Sequence, residues 1–270
     1  MGEAPIRTVL IGATGRMGVN ILRELSRFPR LALCGAVASE SSHAAGEDAT
    51  ARLGLPAIGV AITAALPPLL RGAGLAIDFS SARAAPATLA ACVAARVPLL
   101  IGTTGLAPET AAPLAAAAEH IPLLVAANTS LGLNVMLSLV RAAAAALPGS
   151  FDIEIVETHH REKVDAPSGT ALAIGRVAAE SRGQGFDQTA LYARRGQVGA
   201  RAAGAIGFAS VRGGDVVGEH EVRFLGQGEQ LMLRHSVSDR AVFARGALQA
   251  AQWLAGRAPG RYQMSDVFIS

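Results

Sequence analysis

Cysteine, aromatic side chains and long apolar runs are all scarce in this chain of 270 residues. The two cysteines, Cys34 in a strand-like run and Cys92 in an alanine-rich helical stretch, match neither a disulfide framework nor a metal-ligand spacing. Both read as small core residues, and no metal is expected. Aromatics form only 4% of the chain, which leaves no stacking platform for single strands. The net charge of +3 is not gathered into a basic stripe, so nucleic acid is not an expected partner. No apolar run reaches the ~18 uninterrupted residues of a membrane span. The nearest stretch, 130–147, carries Asn134, Ser138 and Arg141 and reads as a helix packed inside the protein. The segment Met1-Gly2-Glu3-Ala4-Pro5 leads straight into a strand-like run rather than resembling a signal peptide. A cytoplasmic protein without a membrane partner is the expectation.

What the chain does hold is apolar residues, 51% of the total, enough to bury a large core in one or two domains. Strand-like runs at 6–11, 31–37, 74–80, 98–101 and 122–126 alternate with helical stretches after residue 18, at 84–96 and from about Pro108 to His120. Repeated βα units imply a parallel sheet with helices on both faces, and ligands then sit beyond the carboxyl ends of the strands. Past residue 130 the pattern changes. Residues 151–157 alternate as a half-exposed strand does, 168–181 is helical, and 204–212, 216–225 and 229–237 read as antiparallel strands. Gly226-Gln227-Gly228 suits a hairpin turn. A closing helix over 243–254 offers Phe243, Leu248, Trp253 and Leu254 for burial. The expected fold is α/β: a Rossmann-like parallel sheet over 1–129, completed by 239–270, and a second α+β domain over 130–238 on a mixed or antiparallel sheet.

Two motifs carry chemistry. The first, Gly12-Ala13-Thr14-Gly15-Arg16-Met17-Gly18, lies between a β-branched run and a helical stretch. Glycines there let the backbone approach a pyrophosphate, whose charge meets the exposed N–H groups of a helix start. The spacing is GxxGxxG rather than GxGxxG, so a glycine turn without a ligand is the competing reading. An acidic residue that reads a ribose 2′-hydroxyl is expected about 20 residues on. Ala38-Ser39-Glu40 stands there instead. Ser39 and Arg16 are placed to meet a 2′-phosphate, which favours NADPH, while Glu40 leaves NADH open.

The second motif runs from Glu157 to Thr170 and packs His159, His160, Arg161 and Lys163 just ahead of a helix start. A proton donor beside a cationic pocket is what reduction of a small dianionic substrate needs; a solvated charged loop is the bland reading. Ser168 can cap the helix, so that the N–H groups of Gly169 and Thr170 face outward and can hold a carboxylate. The helix dipole adds about 0.3–1 kcal/mol when exposed. Asp165 is expected to pair with a neighbouring cation. An imidazole of ordinary pKa near 6.5 can deliver a proton at neutral pH. Lys163 nearby lowers that pKa and a bound dianion raises it. His43, His120, His220 and His235 lack such a context and read as structural.

Taken together, GATGRMG at 12–18, IGTTG at 101–105, AANTSLGLNVM at 126–136, ETHHREKVDAPSGTALA at 157–173, GAIGFASVRGGDVVGEHEV at 204–222 and SDRAVFARGA at 238–247 resemble the 4-hydroxy-tetrahydrodipicolinate (dihydrodipicolinate) reductase family nearly end to end. The resemblance implies NAD(P)H-dependent reduction of a cyclic dicarboxylate in the diaminopimelate route to lysine, by a cytoplasmic homotetramer. It implies His159 as general acid/base with Lys163 as its partner, and His160, Gly169 and Thr170 as substrate contacts. It also implies cofactor contacts at Gly12, Ala13, Thr14, Gly15, Arg16, Met17, Gly102, Thr103, Thr104, Ala126, Ala127, Asn128 and Thr129. Two positions depart from the family pattern. Ala38-Ser39 replaces an acidic residue followed by arginine, and Thr129 replaces an aromatic near the nicotinamide. Other readings are an aspartate-semialdehyde or homoserine dehydrogenase, a dinucleotide sensor without catalysis, and a reductase of a related cyclic imine. The semialdehyde enzyme needs a nucleophilic cysteine, for which neither Cys34 nor Cys92 is suited.

Overall fold

A computed structural model describes residues 4–268. Strands β1 (Ile6–Ile11), β2 (Leu31–Val37), β3 (Ile62–Thr63), β4 (Leu75–Asp78), β5 (Leu99–Ile101), β6 (Pro122–Val125) and β12 (Gly260–Tyr262) form one sheet in the order β12-β6-β5-β4-β1-β2-β3. Every neighbouring pair is parallel. The central strands are buried on both faces, as a parallel sheet covered by helices requires. Alternation sorts β1 between two cores. Leu10 packs with Ile21 and Leu22 of α1 (Arg16–Glu24) and with Leu248 and Leu254 of α8 (Ala241–Leu254). Val9 and Ile11 pack instead with Leu89 and Cys92 of α3 (Ala85–Ala95) and Leu114 of α4 (Ala111–Ala118). Cys92 is thus a core residue; Cys34 is half-buried.

The strand order reverses direction at β1, whose neighbours are β4 and β2. At such a switch point the loops after adjacent strands diverge and leave a crevice. The backbones beneath it are very close. A Cβ on Gly12, whose φ is +82°, would stand 2.5 Å from the Phe79 carbonyl oxygen, and one on Gly18 would overlap the Gly12 carbonyl. Glycine is required at both positions by contact, and at Gly12 also by its left-handed backbone. The segment between β2 and β3 has little regular structure. Asp48 organises it by accepting N–H bonds from Thr50, Ala51, Ile58, Gly59 and Val60.

The second sheet is mixed. It comprises β7 (Asp152–His159), β8 (Ala190–Leu191), β9 (Ile206–Arg212), β10 (Gly218–Leu225) and β11 (Gln230–Val237), in the order β11-β10-β7-β9-β8. The antiparallel reading of the last three strands holds for β10 with β11, joined through the Gly226–Gly228 turn where Gly226 N–H meets the Glu229 carbonyl. It fails for β9, which runs parallel to β7 and is separated from β10 by it. The 213–217 segment spans the two strand spacings, about 10 Å, and is pinned to the end of β7. Gly213 N–H bonds the His159 carbonyl, and His160 N–H bonds the Val216 carbonyl. Ile153, Ile155, Glu157 and His159 all point to the buried face of β7. His159 therefore ends the strand instead of standing in the loop beyond it.

Helices α5 (Leu131–Ala146) and α6 (Gly169–Ser181) supply Leu133, Met136, Val140, Ala171, Ile174 and Ala178 to the core of this sheet. The 130–147 stretch was expected to be fully interior, but Val135 and Leu139 of α5 are 43% and 49% exposed. Only one stripe of the helix faces the core, as its 3.6-residue period allows. Among the described residues no helix is long and apolar enough to cross a membrane.

The chain divides into two compact units. One runs to Leu131 and resumes at Ala241; the other is Gly132–Arg240. In the first, α8 is held mainly by small residues: Ala244, Ala247, Ala250 and Ala251 are buried beside Leu248 and Leu254. Phe243 and Trp253, expected to be buried, are only half covered. Small residues permit close approach, and at Gly246 a Cβ would overlap the Thr129 carbonyl oxygen. Gly246→Ala is expected to destabilise the protein by about 1–3 kcal/mol through overpacking, read as a lowered Tm in thermal denaturation.

Candidate active site

In the first unit, the crevice at the switch point comprises two cavities that share Gly15, Phe79, Ser80 and Ser81. One, of about 660 Å³, is lined by Gly12, Thr14, Ser39, Glu40, Leu66, Pro67 and Thr88, among others. The other, of about 460 Å³, is lined by Arg16, Met17, Gly102, Thr103, Thr104, Ala126, Ala127, Asn128, Thr129 and Phe243. The residues fit a dinucleotide. The Arg16 and Met17 amides open α1, which starts at Gly15 without a side-chain cap, so the helix start offers N–H groups to an anion. Ser80 Oγ is buried at both cavities, with no hydrogen-bond partner of normal geometry among the described residues. Asp78, fully buried beneath, accepts the Ser80 N–H at 2.8 Å and fixes that turn. Burial raises its carboxyl pKa above the ordinary range.

One expectation about this crevice needs correction. Ala13 lines neither cavity: its side chain is buried in the core and its N–H bonds the Val37 carbonyl, as that of Gly12 does. Ser39 lines the larger cavity together with Glu40, and Arg16 lines the adjoining one. Residues 64–67, after the two-residue strand β3, were not identified from the sequence because so short a strand leaves no periodicity. Thr129 is buried, and its hydroxyl donates to the Phe243 carbonyl at 2.7 Å. The aromatic residues lining that cavity are Phe79 and Phe243.

In the second unit, the 157–170 segment folds around the end of β7. Ser168 caps α6 by accepting the Ala171 N–H at 3.1 Å, and Gly169 and Thr170 form the helix start. A Cβ on Gly169 would meet only open space. His159 is buried, and its Nδ1 lies 2.5 Å from Glu157 Oε2. His220, directly across from Glu157 on β10, packs its ring edge-on to His159 with centroids 5.1 Å apart. Its Nε2 lies 2.9 Å from Ser168 Oγ. The structural reading of His220 thus gives way to a place beside His159. The Lys163 ammonium bonds both carboxylate oxygens of Asp165, at 2.8 and 3.0 Å, rather than His159. Arg240 Nη2 lies 3.4 Å from His160 Nε2. Among the described residues no group of three or more His, Cys, Asp or Glu could hold a metal ion.

Residues 6–129 match the family described as dihydrodipicolinate reductase, N-terminus, and residues 132–268 match dihydrodipicolinate reductase, C-terminus. The chain belongs to the dihydrodipicolinate reductase family. It is 46% identical over 261 residues to the 4-hydroxy-tetrahydrodipicolinate reductase of Anaeromyxobacter dehalogenans strain 2CP-C, covering 97% of each chain. It is 47% identical over 267 residues to that of Methylocella silvestris, covering 99% of this chain and 97% of the relative. A solved dipicolinate-bound dihydrodipicolinate reductase from Paenisporosarcina sp. TG-14 superposes with a TM-score of 0.77 at 25% identity, covering 96% of this chain and 97% of that one. Membership makes the chain an oxidoreductase with a Rossmann-type fold for NAD(P)H.

Within this reductase the protonation states follow from burial and charge. Burial pushes the His159 pKa down, Glu157 pulls it up, and Lys163 and Arg212 push it down further. Burial likewise lowers His220, to about 4, so it is neutral at neutral pH. Lys163 stands out in a way the sequence reading overlooked: among 24 basic residues it is the single lysine. Every other cation is an arginine, a planar and permanently charged fork.

Proposed function

We propose that this reductase converts 4-hydroxy-tetrahydrodipicolinate, via dihydrodipicolinate, to tetrahydrodipicolinate in the diaminopimelate route to lysine. The observation that supports this reading is the link from His159 through the Glu157 carboxylate to the Ser168 amide at the cap of α6. The chain up to Leu131 with α8 is the dinucleotide-binding domain, and the unit Gly132–Arg240 is the substrate-binding and oligomerisation domain. The dinucleotide, when bound, supplies a hydride. The Gly12–Met17 turn would hold its pyrophosphate, and residues 102–104 and 126–129 its nicotinamide end, with Phe243 supplying the ring that Thr129 does not.

The chain's own groups do the rest. One substrate carboxylate accepts the Gly169 and Thr170 amides at the start of α6, where the helix dipole favours an anion. His160, backed by Arg240, and the Lys163 ammonium meet the remaining polar groups. Asp165 holds that ammonium, and a dianionic substrate competes for it. His159 donates the proton to the ring carbon adjacent to the one reduced. An Nζ with three rotatable donors can turn from Asp165 to a substrate oxygen, whereas a rigid guanidinium cannot follow the same arc.

The finer cofactor choice follows the charge beside Ser39. Glu40, which lines the same cavity as Ser39, repels a 2′-phosphate and tolerates a free 2′-hydroxyl. NADH is therefore the preferred cofactor, opposite to the NADPH preference expected from the sequence. A cytoplasmic homotetramer remains the proposed assembly. Val211, Leu231 and Met232, exposed on β9 and on the edge strand β11, are among the apolar residues available for subunit contacts, and sedimentation velocity tests this.

Three outcomes are expected. His159→Gln lowers kcat by roughly 10²–10⁴-fold with little change in dinucleotide affinity; a variant with near-normal kcat removes His159 from the mechanism. Wild-type protein that binds NAD(P)H but does not oxidise it with this substrate would instead be a sensor. Lys163→Arg keeps the charge and the Tm yet loses most of the activity, and full activity would reduce Lys163 to a point charge. In steady-state kinetics kcat/KM favours NADH over NADPH on the order of fivefold, since an exposed charge interaction contributes up to ~1 kcal/mol, and Glu40→Ala erases the difference.

A further inference from the structure

Glu157 is 1% exposed and lies two residues before His159 on the inward face of β7. The positions before it on that face are Ile153 and Ile155, so an apolar residue would continue the core without strain. A carboxylate here has to be matched instead. Arg212, from β9, forks onto it, with Nη1 at 2.8 Å from Oε2 and Nη2 at 2.7 Å from Oε1. The Ser168 N–H reaches Oε1 at 3.2 Å. The carboxylate also takes a hydrogen bond from Ser210 and meets His159 Nδ1. Burial raises the Glu157 pKa, but the Arg212, Ser210 and His159 hydrogen bonds outweigh it and hold it at about 2.

We propose that Glu157, clamped by Arg212, is a positioning residue that keeps a proton on His159 Nδ1 and makes Nε2 the atom that exchanges the catalytic proton. This rests on the reading of His159 as the proton donor. A neutral imidazole has one N–H, and a carboxylate facing Nδ1 selects the tautomer that carries it there. As the new C–H bond forms, the Nε2–H bond breaks. The imidazolium becomes the neutral Nδ1–H form without a ring flip, and water restores the Nε2 proton. Nε2 faces Gly218, where even a Cβ would stand 3.1 Å away.

The charged and titratable groups around the ring are Glu157 on its own strand, Arg212 on β9, His220 on β10, and Lys163. His220 is neutral. Ser168 Oγ accepts from the Ala171 N–H and lies 2.9 Å from His220 Nε2. Of these groups only Glu157 favours the imidazolium. Removing its charge lowers the His159 pKa, and the alkaline limb of kcat/KM, where the donor is lost, moves to lower pH.

The test begins with wild type. Nitrogen-15 spectra of histidine-labelled protein, with the His159 signals assigned by their loss in His159→Gln, are expected to show a protonated Nδ1 and a bare Nε2 above the His159 pKa. Glu157→Gln is expected to lower kcat by roughly 10²-fold or more, to shift the alkaline limb to lower pH, and to leave dinucleotide affinity unchanged. Glu157→Asp, which keeps the charge, should restore the limb in part. An Nε2–H tautomer in wild type overturns the proposal, and so does a folded Glu157→Gln protein with the wild-type pH profile. If Glu157→Gln does not fold, the wild-type tautomer decides. Full activity in His159→Gln would sink the donor assignment itself, whereas an inactive His159→Gln beside a normal Glu157→Gln sinks only the clamp.

Discussion

A carboxylate taken out of water has to find a cation and several N–H groups, and around Glu157 that requirement organises the second unit. Arg212 comes from a parallel neighbour strand, and its Nη2 also bonds the Asp165 carbonyl at 2.7 Å. The same guanidinium thus ties down the loop that carries Lys163. The Ser168 amide comes from the cap of α6. Strand end, loop and helix start therefore meet at one buried charge. Loss of one partner from such a cluster is costly because the others remain buried.

The first unit depends on a different constraint, the approach of backbone to backbone. The turns after β1 and β4 touch at Gly12 and Phe79, and α8 touches the turn after β6 at Gly246 and Thr129. No side chain fits at these contacts, and the crevice above them is consequently lined largely by main chain and small residues. Specificity there is left to a few groups: the Ser80 hydroxyl, the charge of Glu40, and the ring of Phe243.

Much of this was legible in the sequence, for identifiable reasons. β-branched runs between helical stretches give a parallel sheet, and β1 and β2 fall where the runs fall. Glycines at 12, 15 and 18 marked the turn because few other residues allow it. The HHREK segment was conspicuous because charge is scarce elsewhere. Glu157 and His220 were less visible, although each occupies an inward position of an alternating strand, beside Ile155 and Val222 respectively. A polar residue at an inward position is a signal, and period-two counting would have found both. The lone lysine was likewise readable by counting.

Local pattern thus determined the elements, the glycine turn, the helix cap at Ser168 and the family, because each depends on a few consecutive residues. The tertiary structure alone decided that β7 lies between β9 and β10, that Arg212 meets Glu157, and that His220 packs against His159. Those pairings join residues far apart in the chain. They are fixed by sheet order and strand register, which depend on how whole faces pack and not on any short stretch of sequence.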